Sequence, residues 1–262
     1  MYKARPYIEN VSPASFDVWL SRLFEGSEMT ARKIRPSSFS VTGYVPTSKG
    51  PKVQGAESTL EQDFITLLEF DLRVGNYIVQ PFKIRWRDSD GKQRRFTPDV
   101  AVRYTSHARE LDPSLRTTIF EVKSRKFLKE RWAVEKPRLR AGISWAKEYG
   151  CRFAIVTETE IRTPYLTNAR FLMNYRSITG DPIVRRAREQ HLAETLVRLG
   201  PTTPRDLILA ISTNRDRQAE YIPYLWGLII QTLIGVDLNS VLTMASPIWP
   251  TDGTRWMSER FV

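Results

Sequence analysis

One short apolar run that ends in a Glu-x-Lys triplet constrains the fold of this chain more than any other feature. The run covers residues 117–123 and ends with Glu121, Val122 and Lys123. Successive side chains alternate between the two faces of an extended strand, so Glu121 and Lys123 are expected on one face and Val122 on the other. We therefore predict a buried β-strand on which a carboxylate and an ammonium group lie side by side, where they can share a metal ion and a water molecule.

Two further acidic residues complete the pattern upstream of this strand. Asp99 follows Pro98 on a predicted neighbouring strand, and Glu61 lies in the first turn of a predicted helix that opens at Ser58. Each has a structural interpretation as well, because Ser58 and Glu61 form a capping-box pattern and Pro-Asp is common in turns. Taken together with Glu121, acidic groups on helix, strand and strand are typical of a metal-dependent nuclease.

Carboxylate oxygens are the main metal ligands that the candidate site residues offer. With one cysteine, Cys151, and two histidines in the whole chain, the composition argues against a structural zinc site. We predict one or two Mg²⁺ or Mn²⁺ ions held by Glu61, Asp99 and Glu121. Lys123 is then the group that orients or deprotonates the attacking water and stabilises charge on the phosphorus.

Two neighbouring features have less certain roles by pattern. Gln80 precedes Pro81, so it either contacts the site or ends a strand. A basic run continues from Lys123, and such a run is either a solvated helix face or a track for phosphates. Because it leaves directly from the proposed active strand, we predict that four of its members bind DNA: Arg125, Lys126, Lys129 and Arg131.

The net charge of +11 also indicates a polyanionic partner. Residues 1–170 hold 30 lysines and arginines against 20 acidic residues, whereas residues 171–262 hold 10 against 9. The DNA-binding surface is therefore expected in the first part of the chain. The single cysteine and the lack of an apolar signal core predict a cytoplasmic protein, and no run approaches the ~18 apolar residues of a membrane span.

The order of predicted elements defines three segments. Residues 1–56 are expected to form an irregular arm with one short helix at 16–24, which lies on the domain or on DNA. Residues 57–176 read as a mixed sheet flanked by helices, an α/β fold of the type II restriction-endonuclease kind. Within it we expect a helix at 58–73, a hairpin at 77–104 that Pro98 places at an edge or bends, and a helix at 138–149.

Residues 177–262 are predicted to form a separate C-terminal domain. Its expected elements are a helix that ends at Gly200, a second helix that begins after Thr203, and a third at 224–233 after Pro223. Two short strands follow, near residues 234–238 and 248–249. Three helices and a two-stranded wing resemble a winged helix-turn-helix.

Five stretches of sequence together resemble the TnsA family, the endonuclease subunits of heteromeric cut-and-paste transposases. The resemblance covers about residues 57–175 and is looser beyond them. It rests on Leu60-Glu61, Gln80-Pro81-Phe82, Thr97-Pro98-Asp99, the run 120–123 and the stretch 153–161.

The resemblance implies a role for each site residue. The family's catalytic acid falls on Glu61, its metal-binding aspartate on Asp99 and its catalytic lysine on Lys123. Glu121 occupies a carboxylate position that some members fill with glutamine. The resemblance also implies a bacterial protein that cuts the 5′ strand at each transposon end. A TnsB-like DDE integrase would cut and join the 3′ ends, and the C-terminal domain would bind that integrase or a TnsC-like ATPase regulator.

Two other functions remain compatible with the residues. A stand-alone restriction-type endonuclease would recognise its own DNA sequence and cleave without a partner. A non-catalytic DNA-binding adaptor would use Glu61 only as a helix cap and Lys123 only as a surface charge, and it would tolerate Asp99→Ala.

Overall fold

A computed structural model describes residues 11–25, 43–46, 48–50, 53–56 and 58–251 of the 262-residue chain. The chain forms two compact units, Met1–Ile161 and Arg162–Val262. The predicted domain boundaries at 56/57 and 176/177 remain predictions, and the parts of the predicted arm at 1–10 and 26–42 lie outside the described residues. Across the described chain, no helix combines the length and the apolar composition that crossing a membrane requires.

The first unit is a mixed α/β structure. Its elements in chain order are α1 (Phe16–Phe24), β1 (Gly43–Pro46), β2 (Val53–Ala56), α2 (Thr59–Phe70), β3 (Val74–Val79), β4 (Ile84–Arg87), β5 (Gln93–Phe96), β6 (Val100–Tyr104), α3 (Ser106–Leu111), β7 (Thr118–Val122), α4 (Arg125–Glu148), β8 (Arg152–Val156) and α5 (Glu158–Ile161). A four-stranded sheet has the order β3-β6-β7-β8, in which only the β7–β8 pair is parallel. The prediction of a mixed sheet flanked by helices is confirmed.

Helix α2 covers one face of this sheet. It begins where predicted, because the Ser58 hydroxyl accepts a hydrogen bond from the backbone N–H of Glu61 and so caps the first turn. The helix packs through Phe64, whose ring centroid lies 5.0 Å from that of Phe120 on β7. Glu61 is therefore one turn away from the residue that anchors α2 to the central strand.

Helix α1 contributes to the core on the sheet. Phe16, Leu20 and Leu23 are almost fully buried and join a cluster that includes Ile119 of β7 and Trp145 of α4. The predicted helix at 16–24 is confirmed. The segment predicted to be an irregular arm therefore contains a helix, among its described residues, that packs on the domain. This helix needs a partner surface because its apolar side chains recur three and four residues apart.

The predicted hairpin at 77–104 is in fact divided into two pieces. β4 and β5 form a separate antiparallel pair, and the chain then enters β6 at Val100. β6 is a central strand of the larger sheet, so Pro98 does not lie on an edge strand. Of the two predicted roles, the bend beside Asp99 is the one observed, because proline cannot donate a hydrogen bond to a ladder.

Helix α4 connects the parallel strands β7 and β8 and is twice as long as predicted. The sequence analysis expected a helix at 138–149, but α4 begins at Arg125, where the Ser124 hydroxyl caps it by accepting from the N–H of Phe127. The backbone at Arg131 leaves helical geometry, with φ −117° and ψ 15°. The predicted end is confirmed, since Gly150 adopts the positive φ of 67° that often follows a helix.

The second unit is mainly helical. Its elements are α6 (Pro164–Met173), α7 (Pro182–Leu199), α8 (Pro204–Ile211), α9 (Arg215–Ile230), β9 (Ile234–Val236) and β10 (Ile248–Pro250), and the two strands pair antiparallel. Asn168 of α6 fixes the loop after β9, because its side-chain amide donates to the carbonyls of Leu238 and Ser240 at 2.8 and 2.7 Å. The winged-helix assignment remains a prediction.

The predicted start of the third helix of this unit is wrong. α9 begins at Arg215, since the Asn214 side chain accepts hydrogen bonds from two backbone N–H groups of the first turn at 2.9 and 3.1 Å. Pro223 therefore lies inside the helix. The Asn214 cap sets the start of α9, and Pro223 is not the boundary that was predicted.

Candidate active site

Asp99 is held rigidly at the point where the chain enters the central strand β6. Its backbone N–H donates to the carbonyl of Phe120 at 3.1 Å, and its own carbonyl accepts from the N–H of Gln80 at 2.6 Å. Its side-chain oxygen Oδ2 accepts from the backbone N–H of Val122 at 2.7 Å. The carboxylate is thus oriented by the backbone of β7 and directed towards the end of that strand.

Glu121 and Lys123 extend from the same strand end, as the alternation predicts. The Nζ atom of Lys123 lies 3.1 Å from Oε1 of Glu121 and 2.9 Å from Oδ2 of Asp99. The backbone N–H of Lys123 donates to the carbonyl of Val156, which ties this strand end to β8. Two carboxylates from adjacent strands therefore meet at one ammonium group.

Burial strengthens the charge interactions within this cluster. The side chain of Glu121 is only 1% exposed. Burial and repulsion from Asp99 raise the pKa of Glu121 above its ordinary value, and Lys123 and Arg138 partly offset this. Burial alone would lower the pKa of Lys123, but the carboxylates of Asp99 and Glu121 raise it well above the ordinary value. Lys123 is therefore a cation at neutral pH.

Arg138 on α4 is a second cation at Glu121. Its Nη2 atom donates to Oε1 of Glu121 at 2.8 Å and also to Oε2 of Glu135, one turn back on the same helix. Its guanidinium carbon lies 5.1 Å from the ring centroid of Phe96. Sequence reasoning placed Arg138 in the basic run but not in the site, because its spacing did not distinguish it from the exposed members.

The chemistry of the carboxylates fits a hard divalent cation. Oε1 of Glu121 is bound by two cations, whereas the buried Oε2 accepts no hydrogen bond from the residues that the structure describes. Asp99 supplies a second carboxylate to the same cluster. Mg²⁺ commonly takes one or two carboxylates and keeps several waters, so Glu121 and Asp99 are the residues that would hold it.

Glu61 is not brought into this group. Within the described part of the chain, no three histidine, cysteine or acidic residues lie close enough together to hold a metal ion. The Glu61 carboxylate instead accepts a 3.2 Å hydrogen bond from the Ser58 hydroxyl, which is consistent with the capping interpretation. Its predicted catalytic and metal-binding roles remain predictions.

Gln80 lies directly beside the site through its backbone. It follows the last residue of β3, has a positive φ of 47°, and donates its N–H to the carbonyl of Asp99. It does end a strand, as one of its two interpretations required. Contact of its side chain with a substrate remains a prediction.

The four basic residues predicted to bind DNA lie in the first half of α4, and all four are exposed: Arg125, Lys126, Lys129 and Arg131. Arg125 is fixed at the start of the helix, since its backbone N–H donates to the carboxylate of Glu158 at 3.0 Å. The cations therefore begin two residues after Lys123 and point to solvent rather than into the core.

Comparison with known proteins agrees with this geometry. Residues 71–158 match the family model described as TnsA-like endonuclease N terminal, of the Tn7 type. The matched segment contains Asp99, Glu121 and Lys123 but begins after Glu61. No curated protein matches the chain. The match identifies a TnsA-like endonuclease domain in residues 71–158.

Proposed function

We propose that this protein is a metal-dependent DNA endonuclease that cleaves the 5′ strands at transposon ends during cut-and-paste transposition. The observation that carries the proposal is the convergence of the Asp99 and Glu121 carboxylates on the Lys123 ammonium at a buried strand end. The endonuclease match across the same residues supports it.

Each site residue has its own proposed role in phosphodiester hydrolysis. Mg²⁺ or Mn²⁺, as one or two ions, would supply an activated water and neutralise charge on the phosphate. Asp99 and Glu121 would hold the metal, and Glu61 is proposed as a third acidic contributor from α2. Lys123, whose Nζ lies 2.9 Å from Asp99 and 3.1 Å from Glu121, orients or deprotonates the attacking water and stabilises the developing negative charge on the phosphate oxygens.

The partners are proposed from the family. A TnsB-like DDE integrase would process the 3′ ends, and a TnsC-like ATPase regulator would bind the C-terminal domain predicted at residues 177–262. The near balance of charge in residues 171–262, 10 basic against 9 acidic, supports protein contact rather than DNA binding there. The unpaired thiol of Cys151 is compatible with the bacterial cytoplasm as the place of action.

The test compares wild type with Asp99→Ala on duplexes that carry transposon ends. Reactions contain Mg²⁺ or EDTA, with and without the cognate integrase, and strand-specific end labels report which strand is cut. Asp99→Asn serves as a matched variant that preserves the volume of the side chain. We expect partner-dependent cleavage of the 5′ strand that requires Mg²⁺ and is lost in both variants.

Other results would support an alternative function or overturn the site assignment. Cleavage without the integrase that Asp99→Ala abolishes would support a restriction-type endonuclease instead. Cleavage that persists in Asp99→Ala at the wild-type rate would overturn the site assignment. Metal-independent DNA binding with no cleavage under any of these conditions would support a DNA-binding adaptor.

A further inference from the structure

The first half of helix α4 contains no buried residue although both of its ends lie at the candidate site. Every residue from Arg125 to Arg138 is at least partly exposed, and the buried residues of the helix begin at Leu139. A helix usually buries an apolar stripe against its own domain. This segment, residues 125–137, does not, so its surface is available for a partner.

The ends of segment 125–137 fix it beside the reacting groups. At its start, Lys123 and Ser124 connect it directly to β7. At its end, Arg138 donates to Glu121 at 2.8 Å. Thirteen helical residues span at most about 20 Å, which is the length of several DNA base pairs. A duplex with its phosphate at Lys123 is therefore within reach of the segment.

The composition of segment 125–137 matches DNA rather than an apolar protein surface. It holds five lysines and arginines against two glutamates, and one of the two, Glu135, is already paired with Arg138. Among the cations, Trp132 is 47% exposed and Val134 is 64% exposed. Trp132 directly follows Arg131, where the helix bends. A large exposed aromatic ring between cations is typical of surfaces that bind single-stranded nucleic acid, whose bases stack on the ring.

We propose that segment 125–137 is a DNA-contacting element in which the cations bind phosphates and Trp132 packs its indole ring against the bases or sugars next to the scissile phosphate. The proposal rests on the proposed nuclease function and adds to it an apolar contact. Phosphate contacts release counterions and depend on salt, whereas the indole contact does not. The two contributions can therefore be measured separately.

The experiment measures DNA binding in EDTA, so that no cleavage is needed. A fluorescein-labelled duplex of mixed sequence that ends in a single-stranded overhang is titrated with the full chain across a series of KCl concentrations, and fluorescence anisotropy gives Kd. Lys129→Ala should lower the slope of log Kd against log[KCl] by about 0.9. Trp132→Ala should weaken binding about fivefold or more with no change in slope, and Trp132→Phe should retain most of the affinity.

Two control variants match the changes. Arg109→Ala removes an exposed cation from α3, which follows the opposite end of β6 from Asp99. Val18→Ala removes an apolar side chain that is 59% exposed on α1. Both should bind DNA like wild type. Circular dichroism checks that each variant is folded, as expected for substitutions of exposed side chains.

The possible outcomes separate this proposal from the proposed function. If Lys129→Ala has the same slope as Arg109→Ala, or if Trp132→Ala binds like Val18→Ala, the DNA-contacting element is overturned. If Trp132→Ala binds DNA normally but loses the integrase-dependent cleavage, the segment contacts protein instead. If binding behaves as expected but no metal-dependent cleavage occurs, the nuclease function fails and the DNA contact stands.

Discussion

At the scale of single residues, the main feature of the cluster is that Glu121 is buried between two cations. Glu121 is 1% exposed and contacts Lys123 at 3.1 Å and Arg138 at 2.8 Å. A buried carboxylate with fewer partners is costly, because it loses hydration that only charged or hydrogen-bonding neighbours can replace. Loss of either cation would therefore leave the buried Glu121 carboxylate less well compensated.

Arg138→Ala tests this compensation. Removing the guanidinium leaves Glu121 with Lys123 alone, so we expect the free energy of unfolding to fall by about 1–3 kcal/mol. The loss should lie at the low end of this range because Arg138 is 19% exposed and water partly screens its charge. Urea unfolding in EDTA measures the change, and Arg138→Lys should lose less because it keeps the charge. An unchanged midpoint in Arg138→Ala would show that Lys123 alone compensates Glu121.

Glu61→Gln separates the two roles of Glu61. Glutamine retains an oxygen for the hydrogen bond from Ser58, so the stability should change by less than about 0.5 kcal/mol. If Glu61 acts in the reaction, Mg²⁺-dependent cleavage should fall about a hundredfold or more. The readouts are thermal unfolding and single-turnover cleavage. Normal cleavage by Glu61→Gln would assign Glu61 to the helix cap alone.

Cys151 gives a prediction of pH dependence. Burial raises the pKa of its thiol to about 12, and the thiolate is the reactive form. The native protein should therefore react slowly with iodoacetamide at pH 8, and the rate should rise only as pH approaches 12. Since Cys151 is the single cysteine, the whole signal belongs to it. The urea-unfolded protein is the control and should react at the rate of a free thiol, so fast native labelling at pH 8 would contradict the prediction.

At the scale of elements, the sequence predicted those helices and strands whose apolar pattern is regular. α2 was predictable because Leu60, Phe64 and Leu67 recur at helical spacing after a serine cap. The first half of α4 was not, since its side chains face solvent and leave no apolar period. The start of α9 was missed for a different reason, because proline within a helix was read as a boundary.

The candidate site was likewise predictable only where its residues follow a regular local pattern. The alternation of β7 placed Glu121 and Lys123 together, and the Pro98 bend correctly marked the position of Asp99. Arg138 was beyond this reasoning, because its contact with Glu121 depends on how α4 folds back over the strand end rather than on any local spacing. The tertiary contact, not the sequence period, distinguishes it from its exposed neighbours.

Gly142→Ala tests how α4 packs on the sheet. A methyl group at this position would lie 2.7 Å from a ring carbon of Phe153 on β8. We expect a net loss of about 1–2 kcal/mol in unfolding free energy, since the overpacking cost exceeds the gain in helix propensity. Chemical denaturation measures the loss. Phe153→Leu in the same chain should recover part of it, and a stabilised Gly142→Ala would show that the ring moves freely.

At the scale of the whole molecule, the chain consists of two compact units, Met1–Ile161 and Arg162–Val262. The site, segment 125–137 and most of the positive charge lie in the first. Each unit has its own buried residues, such as Ile119 in the first and Leu225 in the second. Units of this size with separate cores often unfold separately.

Asn168→Ala tests whether the units unfold independently. The Asn168 side chain is 2% exposed and also accepts from the N–H of Leu242 at 3.0 Å, so its loss removes the partner of three backbone groups, of which the Leu238 carbonyl belongs to a buried residue. The second unit should be destabilised by about 2–4 kcal/mol. Differential scanning calorimetry should show two transitions, of which Asn168→Ala lowers one and Gly142→Ala the other. A single transition that both variants shift equally would show that the two units unfold as one cooperative structure.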